Sequence, residues 1–309
     1  METFVGIDVS KDRLDVHVRP TGESFAVSRD GKGLEELVGR LPALTPTLVA
    51  VEATGGFETI VAAAVGGAGF PLAVVNPAQV RKFADGIGKR AKNDQIDAAV
   101  IAHFADVARP APRPLPDDTQ LLLAALVTRR RQIIEMLVAE RQRERQASNA
   151  RIRKSLARHI AVLEKELVAI DQDIDMLMRG SPAWRDKEDL LASVPGVGQT
   201  TARTLLAELP EMGTLDRRRI ASLAGLAPYT RQSGRWKGKS MIAAGRAPVR
   251  AALFMAALVA SRHNPVLKTL YQRLLHAGKP KMVALIAVAR KLLVILNAIL
   301  RDQRQWQNP

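Results

Sequence analysis

The stretch Phe4-Val5-Gly6-Ile7-Asp8-Val9-Ser10 decides the fold of this chain. Its apolar run ends near a single carboxylate, and residues 14–18 then alternate between apolar and polar side chains. Such period-two alternation is typical of half-buried strands. Residues 4–8 and 13–18 therefore predict a β-hairpin with Asp8 near the end of its first strand. Taken alone, Asp8 fits a turn or capping residue equally well, because burying a carboxylate without a cation is costly.

The residues that follow this hairpin alternate between strand and helix patterns. They predict a strand at 24–27, a short helix at 34–41, a buried strand at 46–53, a helix at 57–66, a buried strand at 71–75 and a helix at about 94–107. Three antiparallel strands followed by alternating helices and strands are the plan of a ribonuclease-H-like (RuvC-like) domain. We therefore predict such an α/β domain over residues 1–109.

A proline-rich linker and a long helical stretch come next. Residues 110–116 contain four prolines, and residues 117–178 contain neither Pro nor Gly. Apolar residues from Ile152 to Leu177 recur at spacings of three and four, which is a heptad seam. The seam fits a helix packed in its own domain, a dimeric coiled coil, or an antiparallel hairpin turning near Ser148-Asn149. We favour a coiled-coil segment that oligomerises, within residues 110–185.

The remaining residues, 186–309, predict an all-α domain. Residues 190–202 read as a helix-hairpin-helix, in which Gly196 and Gly198 allow a tight turn. The free N–H groups of the following helix suit a nucleic-acid phosphate. Residues 228–245 are polar, basic and predicted to be irregular, whereas residues 248–300 are helical with apolar faces.

The charge of the chain points to a polyanionic partner. Its formal net charge is +15 and its pI is about 10.6. Residues 129–158 carry ten Arg or Lys and three Glu, while residues 216–250 carry nine Arg or Lys and one Asp. These two blocks account for the whole excess, so we predict two nucleic-acid contact surfaces. Neutralising Arg217, Arg218 and Arg219 is expected to weaken the second one.

Composition also excludes several kinds of site. The chain has no Cys, and its five His lack ligand spacing, so thiolate and histidine metal sites are not expected. The first residues resemble a strand rather than a signal peptide. The apolar stretch 282–300 is interrupted by Arg290-Lys291, which is costly in a bilayer. We therefore expect a buried helix and a cytoplasmic protein without membrane contact.

Four carboxylates are predicted to converge at one end of the sheet. Asp8 and Glu52 end two strands that would be neighbours, and Asp94 and Asp97 share one helix face at spacing i, i+3. A helix cap explains Asp94 equally well. Carboxylates placed so closely raise one another's pKa unless cations are present. Their hard oxygen ligands favour Mg²⁺ or Mn²⁺, and two such ions would support phosphodiester chemistry.

The motifs that carry these residues resemble a known family, the DEDD transposases of the insertion-sequence one-ten family. The matching stretches are Gly6–Lys11, Glu52–Gly55, Lys92–Ala98, Val194–Gly198, Ala224–Pro228, Gln232–Lys239 and Gly278–Lys281. The resemblance covers nearly the whole chain, is weakest across residues 111–185, and includes motifs in two separate domains in the same order.

The resemblance implies a mechanism. The four acids of the family fall on Asp8, Glu52, Asp94 and Asp97, and its nucleophilic serine falls on Ser233. It implies attack by Ser233 on a DNA phosphate, giving a phosphoserine link, with the acids of one subunit meeting the serine of another. It also implies donor and target DNA and a bridge RNA as partners. We expect a homodimer that assembles to a tetramer.

The residues around Ser233 do not by themselves decide its role. Taken alone, Ser233 fits a turn residue before Gly234 at least as well as a nucleophile, and Tyr229 and Ser240 are rival nucleophiles. The neighbouring cations suit phosphate contacts; they are Arg231, Arg235, Lys237 and Lys239. Trp236 fits either base stacking or core packing. The rival functions are a junction-resolving metal nuclease without a covalent intermediate, and a nucleic-acid-binding scaffold.

Overall fold

A computed structural model describes residues 2–89, 91, 93–112, 117–230, 232–238 and 240–307, without the side chains of Trp236 and Lys237. Lys92, Arg231 and Lys239, named above, lie outside the described residues. The chain divides into two compact units, Met1–Pro116 and Asp117–Pro309.

The first unit is built on one mixed sheet of five strands. The strands are β1 Phe4–Val9, β2 Arg13–Arg19, β3 Ser24–Ser28, β4 Leu48–Glu52 and β5 Leu72–Val75. Their order is β3-β2-β1-β4-β5, in which β1 pairs antiparallel with β2 and parallel with β4. The predicted hairpin and the three further strands are therefore confirmed.

Four helices cover the two faces of this sheet. They are α1 Gly31–Leu44, α2 Glu58–Gly67, α3 Pro77–Gly86 and α4 Asp94–Ala108. Val5, Ile7 and Val9 of β1 belong to one apolar cluster with residues of α1 and α2. Phe4 belongs to a second cluster with residues of α3 and α4. Alternate side chains of β1 thus point to opposite layers, as the pleat of a strand requires.

Gly6 allows α4 to lie unusually close to β1. A Cβ atom at Gly6 would lie 2.3 Å from the backbone nitrogen of Ala102 and 2.4 Å from the carbonyl oxygen of Ala98. Real Cβ contacts are not this short, so only glycine fits here. Ala98 and Ala102 are both buried, and their small side chains complete the contact.

In the part of the second unit that the structure describes, helices joined by short loops precede and follow a short β ribbon. The helices are α5 Asp118–Gln146, α6 Ala150–Gly180, α7 Pro182–Ala192, α8 Gln199–Glu208, α9 Arg217–Leu223, α10 Ala247–His263, α11 Pro265–His276 and α12 Lys281–Asp302. Their buried apolar residues form one core, from Leu123 in α5 to Leu300 in α12. The predicted domain boundary between residues 185 and 186 falls within α7. The long helices α5 and α6 share one hydrophobic core with the helices that follow them.

The heptad seam packs within the chain. Helix α5 ends at Gln146, and α6 begins after Asn149, whose side chain accepts a hydrogen bond from the Arg151 N–H at 2.8 Å. Arg130 pairs with Asp171 and Arg141 pairs with Glu164, each at 2.6 Å. A later residue of α5 thus pairs with an earlier residue of α6. The two helices therefore form an antiparallel hairpin, which is one of the three predicted arrangements. Oligomerisation through this segment stays a prediction.

Helix α12 is a core helix. It is long and apolar enough to cross a bilayer by composition alone, with a mean hydropathy of 2.2, but 56% of its most apolar window is buried within the unit. Its Asn297 is 3% exposed and accepts a hydrogen bond from the Gly213 N–H, while its amide donates to the Leu215 carbonyl, both at 2.9 Å. These contacts match the predicted buried helix.

Replacing Gly6 by alanine tests the close packing of α4. The added methyl would meet the α4 backbone, so Gly6→Ala should lower the free energy of unfolding by about 1–3 kcal/mol in urea denaturation. The control is Gly39→Ala in α1, where a Cβ would meet no described atom within 4 Å. That substitution should stabilise the protein by about 0.5–1 kcal/mol. Equal effects of the two substitutions would contradict the close packing.

Candidate active site

Asp8 and Glu52 lie on the same face and at the same level of the sheet. Ile7 pairs with Val51 in the parallel register of β1 and β4, so the next residues along the two strands are Asp8 and Glu52. Side chains alternate between faces, so Asp8 shares the face of Phe4, which α3 and α4 cover. Asp8 and Glu52 are both half-buried. Glu52 is the last residue of β4 and Asp8 the last but one of β1, so the two carboxylates lie near the ends of adjacent strands, beneath the same helix layer.

Helix α4 brings its first turn to these strand ends. It runs antiparallel to β1, because its residue Asp106 bonds Arg19, the strand partner of Phe4, whereas Ala98 and Ala102 contact Gly6. Its N-terminus therefore lies toward Asp8. The helix cap is Asn93, whose side chain accepts a hydrogen bond from the Ile96 N–H at 2.8 Å. A capping role for Asp94 is thus wrong, and its exposed carboxylate is left for other partners.

The electrostatics of Asp8 reflect this convergence. Burial, together with the charges of Asp97, Asp94 and Asp15, raises the pKa of Asp8 to about 6. Three other carboxylates are therefore within electrostatic reach of Asp8. Glu52 is connected to this group by strand register and also makes an interaction of its own.

The carboxylate oxygens of these acids are chemically suited to a hard divalent cation, but in this structure they do not surround one position. Within the described ranges, no three acidic or His side chains stand close enough to hold an ion as they are. Carboxylate oxygens are nevertheless the donors that Mg²⁺ and Mn²⁺ prefer, and Mg²⁺ commonly binds through one or two carboxylates and water. Burial, and after it the charges of the neighbouring carboxylates, raise the pKa of Asp8, and a bound cation would favour its charged form.

A fifth acid, Asp15, was not among the predicted site residues. It pairs with Asp8 across β1 and β2, is 3% exposed, and accepts a hydrogen bond from the Arg13 guanidinium at 2.7 Å. The hydrogen bond and charge of Asp15, and the charge of Asp94, raise the pKa of Arg13. The sequence shows Asp15 only as one of the polar residues that alternate with apolar ones in this strand, and a strand pattern does not reveal that a distant helix covers its polar face. The spacing of Arg13 and Asp15 on one strand face was the available signal.

A second missed acid, Glu58, shapes the loop that follows Glu52. Its carboxylate accepts hydrogen bonds from the backbone N–H groups of Thr54 and Gly56, at 3.0 and 2.7 Å. Burial acts to raise the pKa of Glu58, but these hydrogen bonds outweigh it and hold the pKa below its ordinary value. Gly55 and Gly56 have φ values of +78° and +123°, which glycine adopts readily. This loop fixes where β4 ends.

Ser233 lies at the tip of a β ribbon, which corrects the prediction of an irregular segment. The ribbon, residues 228–242, contains β6 Pro228–Tyr229, β7 Gln232–Ser233, β8 Trp236–Lys237 and β9 Met241–Ile242. Strand β6 pairs with β9, and β7 pairs with β8. Ser233 is exposed and precedes Gly234, whose φ is +55°. Two-residue strands carry too little periodicity to be recognised in sequence.

The rival nucleophiles on the ribbon have hydrogen-bond partners. The Ser240 hydroxyl lies 2.9 Å from the hydroxyl of Thr230, the residue after β6. The Tyr229 hydroxyl lies 3.5 Å from that of Ser222. Ser233 by contrast faces solvent at the turn, where a large substrate has access.

The predicted nucleic-acid contacts have different surroundings. Arg235 is exposed at the ribbon tip, and Arg217, Arg218 and Arg219 are exposed at the start of α9, where Asp216 caps the helix. Gly198 is exposed before α8. Gly196 instead packs against α10, because a Cβ there would lie 2.6 Å from that of Ala260. The helices on either side of Gly196 and Gly198 are present as predicted.

Comparison with known proteins agrees with these features. Residues 5–148 match the family profile DEDD_Tnp_IS110, described as a transposase, and residues 188–272 match the profile of the "Transposase IS116/IS110/IS902 family". The sheet with its acids and the unit with its ribbon are thus parts of a transposase, an enzyme that moves or rearranges DNA. The chain belongs to the IS110 family of transposases.

Individual relatives fall in two groups. The chain is 29% identical over 315 residues to the pilin gene-inverting proteins of Moraxella bovis and Moraxella lacunata, covering 99% of this chain and 98% of each relative. It is 31% identical over 150 residues to the "Insertion element IS110 uncharacterized 43.6 kDa protein" of Streptomyces coelicolor. That alignment covers 48% of this chain and 36% of the relative.

The raised pKa of Asp8 predicts a pH-dependent stability in metal-free buffer. Asp8 has an ordinary value of 3.8 and a folded value of about 6, so the folded state holds its proton more tightly. Stability should therefore fall as pH rises from about 4 to 6. Asp8→Asn should remove this decline and stabilise the protein at pH 7 by roughly 1–2 kcal/mol, allowing for partial solvation.

Urea denaturation with a chelator at several pH values measures this effect. The control is Asp30→Asn, in which Asn can still cap α1; hydrogen bonds from Gly33 and Ser28 hold the pKa of Asp30 below its ordinary value, so this variant should keep the decline between about pH 4 and 6. A variant Asp8→Asn with an unchanged pH profile would contradict the electrostatic coupling.

Proposed function

We propose that this transposase cleaves and rejoins DNA strands with a divalent metal bound by Asp8, Glu52, Asp94 and Asp97, and with Ser233 as nucleophile. The observation that carries this proposal is the meeting of β1, β4 and α4, which places Asp94 and Asp97 within electrostatic reach of Asp8. The strand order, together with the packing of α4 antiparallel to β1, supports a ribonuclease-H-like fold for residues 1–109.

The acids have the role of holding Mg²⁺ or Mn²⁺. When bound, the metal would neutralise their repulsion and polarise a phosphodiester. Asp8 and Glu52 are fixed by strands, and Asp97 by the first turn of α4, so their backbone positions are set before a metal arrives. Asn93 caps the helix and leaves Asp94 available as a fourth oxygen ligand.

Ser233 supplies the attacking oxygen. Its Oγ forms a bond to phosphorus while the ester bond to one sugar oxygen breaks, the hydroxyl proton passes to solvent, and the leaving oxygen takes up a proton. A serine hydroxyl is a weak nucleophile at neutral pH and requires activation by a base or a metal. Exposure at the ribbon tip lets the hydroxyl approach a duplex, and Arg235 beside it attracts phosphate.

The partners are donor and target DNA together with a bridge RNA. The +15 charge supports polyanionic partners but does not distinguish RNA from DNA. The Moraxella relatives are named as inverting a pilin gene, which supports site-specific rearrangement by this chain. We further propose cytoplasmic action by a homodimer that assembles to a tetramer. Loss of activity on ribonuclease treatment, restored by added RNA, tests the RNA component.

Neutral, isosteric replacements test the acids. Asp8→Asn, Glu52→Gln and Asp97→Asn should each reduce Mg²⁺-dependent strand cleavage at least about 100-fold, because each removes a charged oxygen ligand. Cleavage of a cognate DNA substrate in Mg²⁺, with chelator as reference, measures this effect. The control is Glu36→Gln, which removes one acid from α1 on the opposite side of the sheet. Near-normal cleavage by any of the three variants would remove that residue from the ligand set.

Covalent capture tests the nucleophile. Ser233→Ala should still bind DNA but form no denaturant-resistant protein–DNA adduct, because the substitution removes the attacking hydroxyl. Ser240→Ala and Tyr229→Phe are matched controls on the same ribbon and should retain the adduct. Mass spectrometry of the linked peptide identifies the residue, and an adduct on Tyr229 or Ser240 would overturn the assignment. Cleavage without an adduct would favour a resolvase-like nuclease.

A further inference from the structure

The base of the 228–242 ribbon is a tightly packed backbone crossing. The chain enters the ribbon after Gly225 and leaves it through Ala244 and Gly245. A Cβ at Gly245 would lie 2.2 Å from the Gly225 nitrogen, and a Cβ at Gly225 would lie 2.2 Å from the Ala244 carbonyl oxygen. The two ends of the ribbon thus touch through backbone atoms, with no room for a side chain on either glycine.

The crossing is also conformationally constrained. Gly225, Ala244 and Gly245 all have positive φ, at +71°, +57° and +70°. Ala244 is a non-glycine residue in this region, which costs energy and persists only where surrounding contacts hold it. One such contact is the Arg250 guanidinium of α10, which donates a hydrogen bond to the Ala244 carbonyl at 2.7 Å.

Arg246 fastens this crossing to the helical core. Its guanidinium bonds both carboxylate oxygens of Glu211, at 2.5 and 2.7 Å, and donates to the Glu208 carbonyl at 2.9 Å. Its backbone N–H donates to the Leu223 carbonyl at 3.0 Å. The Arg246 and Glu211 side chains are 29% and 14% exposed, so solvent weakens the pair little. Arg246 therefore links the exit of the ribbon to the α8–α9 connection and to the end of α9.

We propose that the Arg246–Glu211 pair and the Gly225–Gly245 crossing form a clamp that sets the direction of the ribbon and so positions Ser233 for attack. The proposal rests on Ser233 being the nucleophile. Arg246 and Glu211 are positioning residues in it and do not touch DNA. The strands of the ribbon are two residues long and make few contacts of their own, so the orientation of the ribbon depends on its base. Small misplacement of an attacking atom is known to slow a reaction strongly.

Arg246→Lys is the sharpest test, because it keeps the charge. A lysine ammonium cannot reproduce the planar contact with both Glu211 oxygens and the Glu208 carbonyl. At saturating DNA and at a temperature where the variant is folded, the rate of adduct formation should fall roughly 10- to 100-fold. DNA affinity should change little. Glu211→Gln should have the same effect, since it removes the charge from the other side of the pair.

Arg203→Lys is the matched structural control. Arg203 bonds Glu188 at 2.7 Å and Asp175 at 2.6 Å, is 15% exposed, and joins α8 to α7 and α6 in the same unit. Its substitution should lower the melting temperature to a similar degree while leaving the adduct rate below that temperature unchanged. If Arg203→Lys and Arg246→Lys slowed adduct formation equally, the effect of Arg246 would reflect general stability alone. That result would overturn the proposal.

Hydrogen exchange separates the clamp from the choice of nucleophile. The backbone amides of Tyr229, Met241 and Ile242 should exchange faster in Arg246→Lys than in the parent protein and in Arg203→Lys. If the parent forms no adduct at Ser233, the proposed function fails, yet this measurement still reports on the clamp. If the parent forms the adduct and Arg246→Lys matches it in both adduct rate and exchange, the clamp alone is overturned.

Discussion

The burial of Asp8 beside other carboxylates, at the end of one sheet, is the physical constraint that shapes the first unit. Asp8 lies beside Asp15 across the strand pair, level with Glu52, and within reach of Asp94 and Asp97. Such crowding destabilises a metal-free fold. The packing of α4 on Gly6 enforces it, because the missing side chain lets the helix bring its acidic first turn to the strand ends. The same contact that completes the core thus brings the acidic first turn of α4 toward Asp8, a local conflict of the kind expected at functional positions.

In the second unit, a packed helical core supports a small exposed β ribbon. One continuous core joins α5 through α12, and buried polar contacts such as that of Asn297 fix loops onto it. The ribbon itself is polar and exposed, so its order comes from its base. The Arg246–Glu211 pair and the contact between Gly225 and Gly245 hold the backbone where the chain leaves the helices and rejoins them.

Much of this architecture could be predicted from the sequence. Alternation in β1 and β2, and the apolar runs of β4 and β5, are strong enough to predict the sheet, whereas the role of the four acids as one metal site stays a prediction. The sequence pattern predicts no helix between the strand at 71–75 and the helix at about 94–107, because Asn76-Pro77 suits the end of a strand as well as the start of a helix. The side chain of Asn76 instead accepts a hydrogen bond from the Ala78 N–H at 2.8 Å, with Pro77 in the first helical turn. Burial of Asp15 and the crossing at Gly225 depend on segments distant in sequence, which local patterns do not encode.

The most direct test of this carboxylate repulsion is thermal unfolding of the whole chain, with Mg²⁺ or with potassium salt of equal ionic strength. We predict that Mg²⁺ raises the melting temperature of the parent protein well beyond the ionic-strength control. In Asp8→Asn the metal-free melting temperature should already be higher, and the added effect of Mg²⁺ should be lost. An identical rise with Mg²⁺ in parent and variant, or none beyond the salt control in the parent, would contradict a metal site built on these acids.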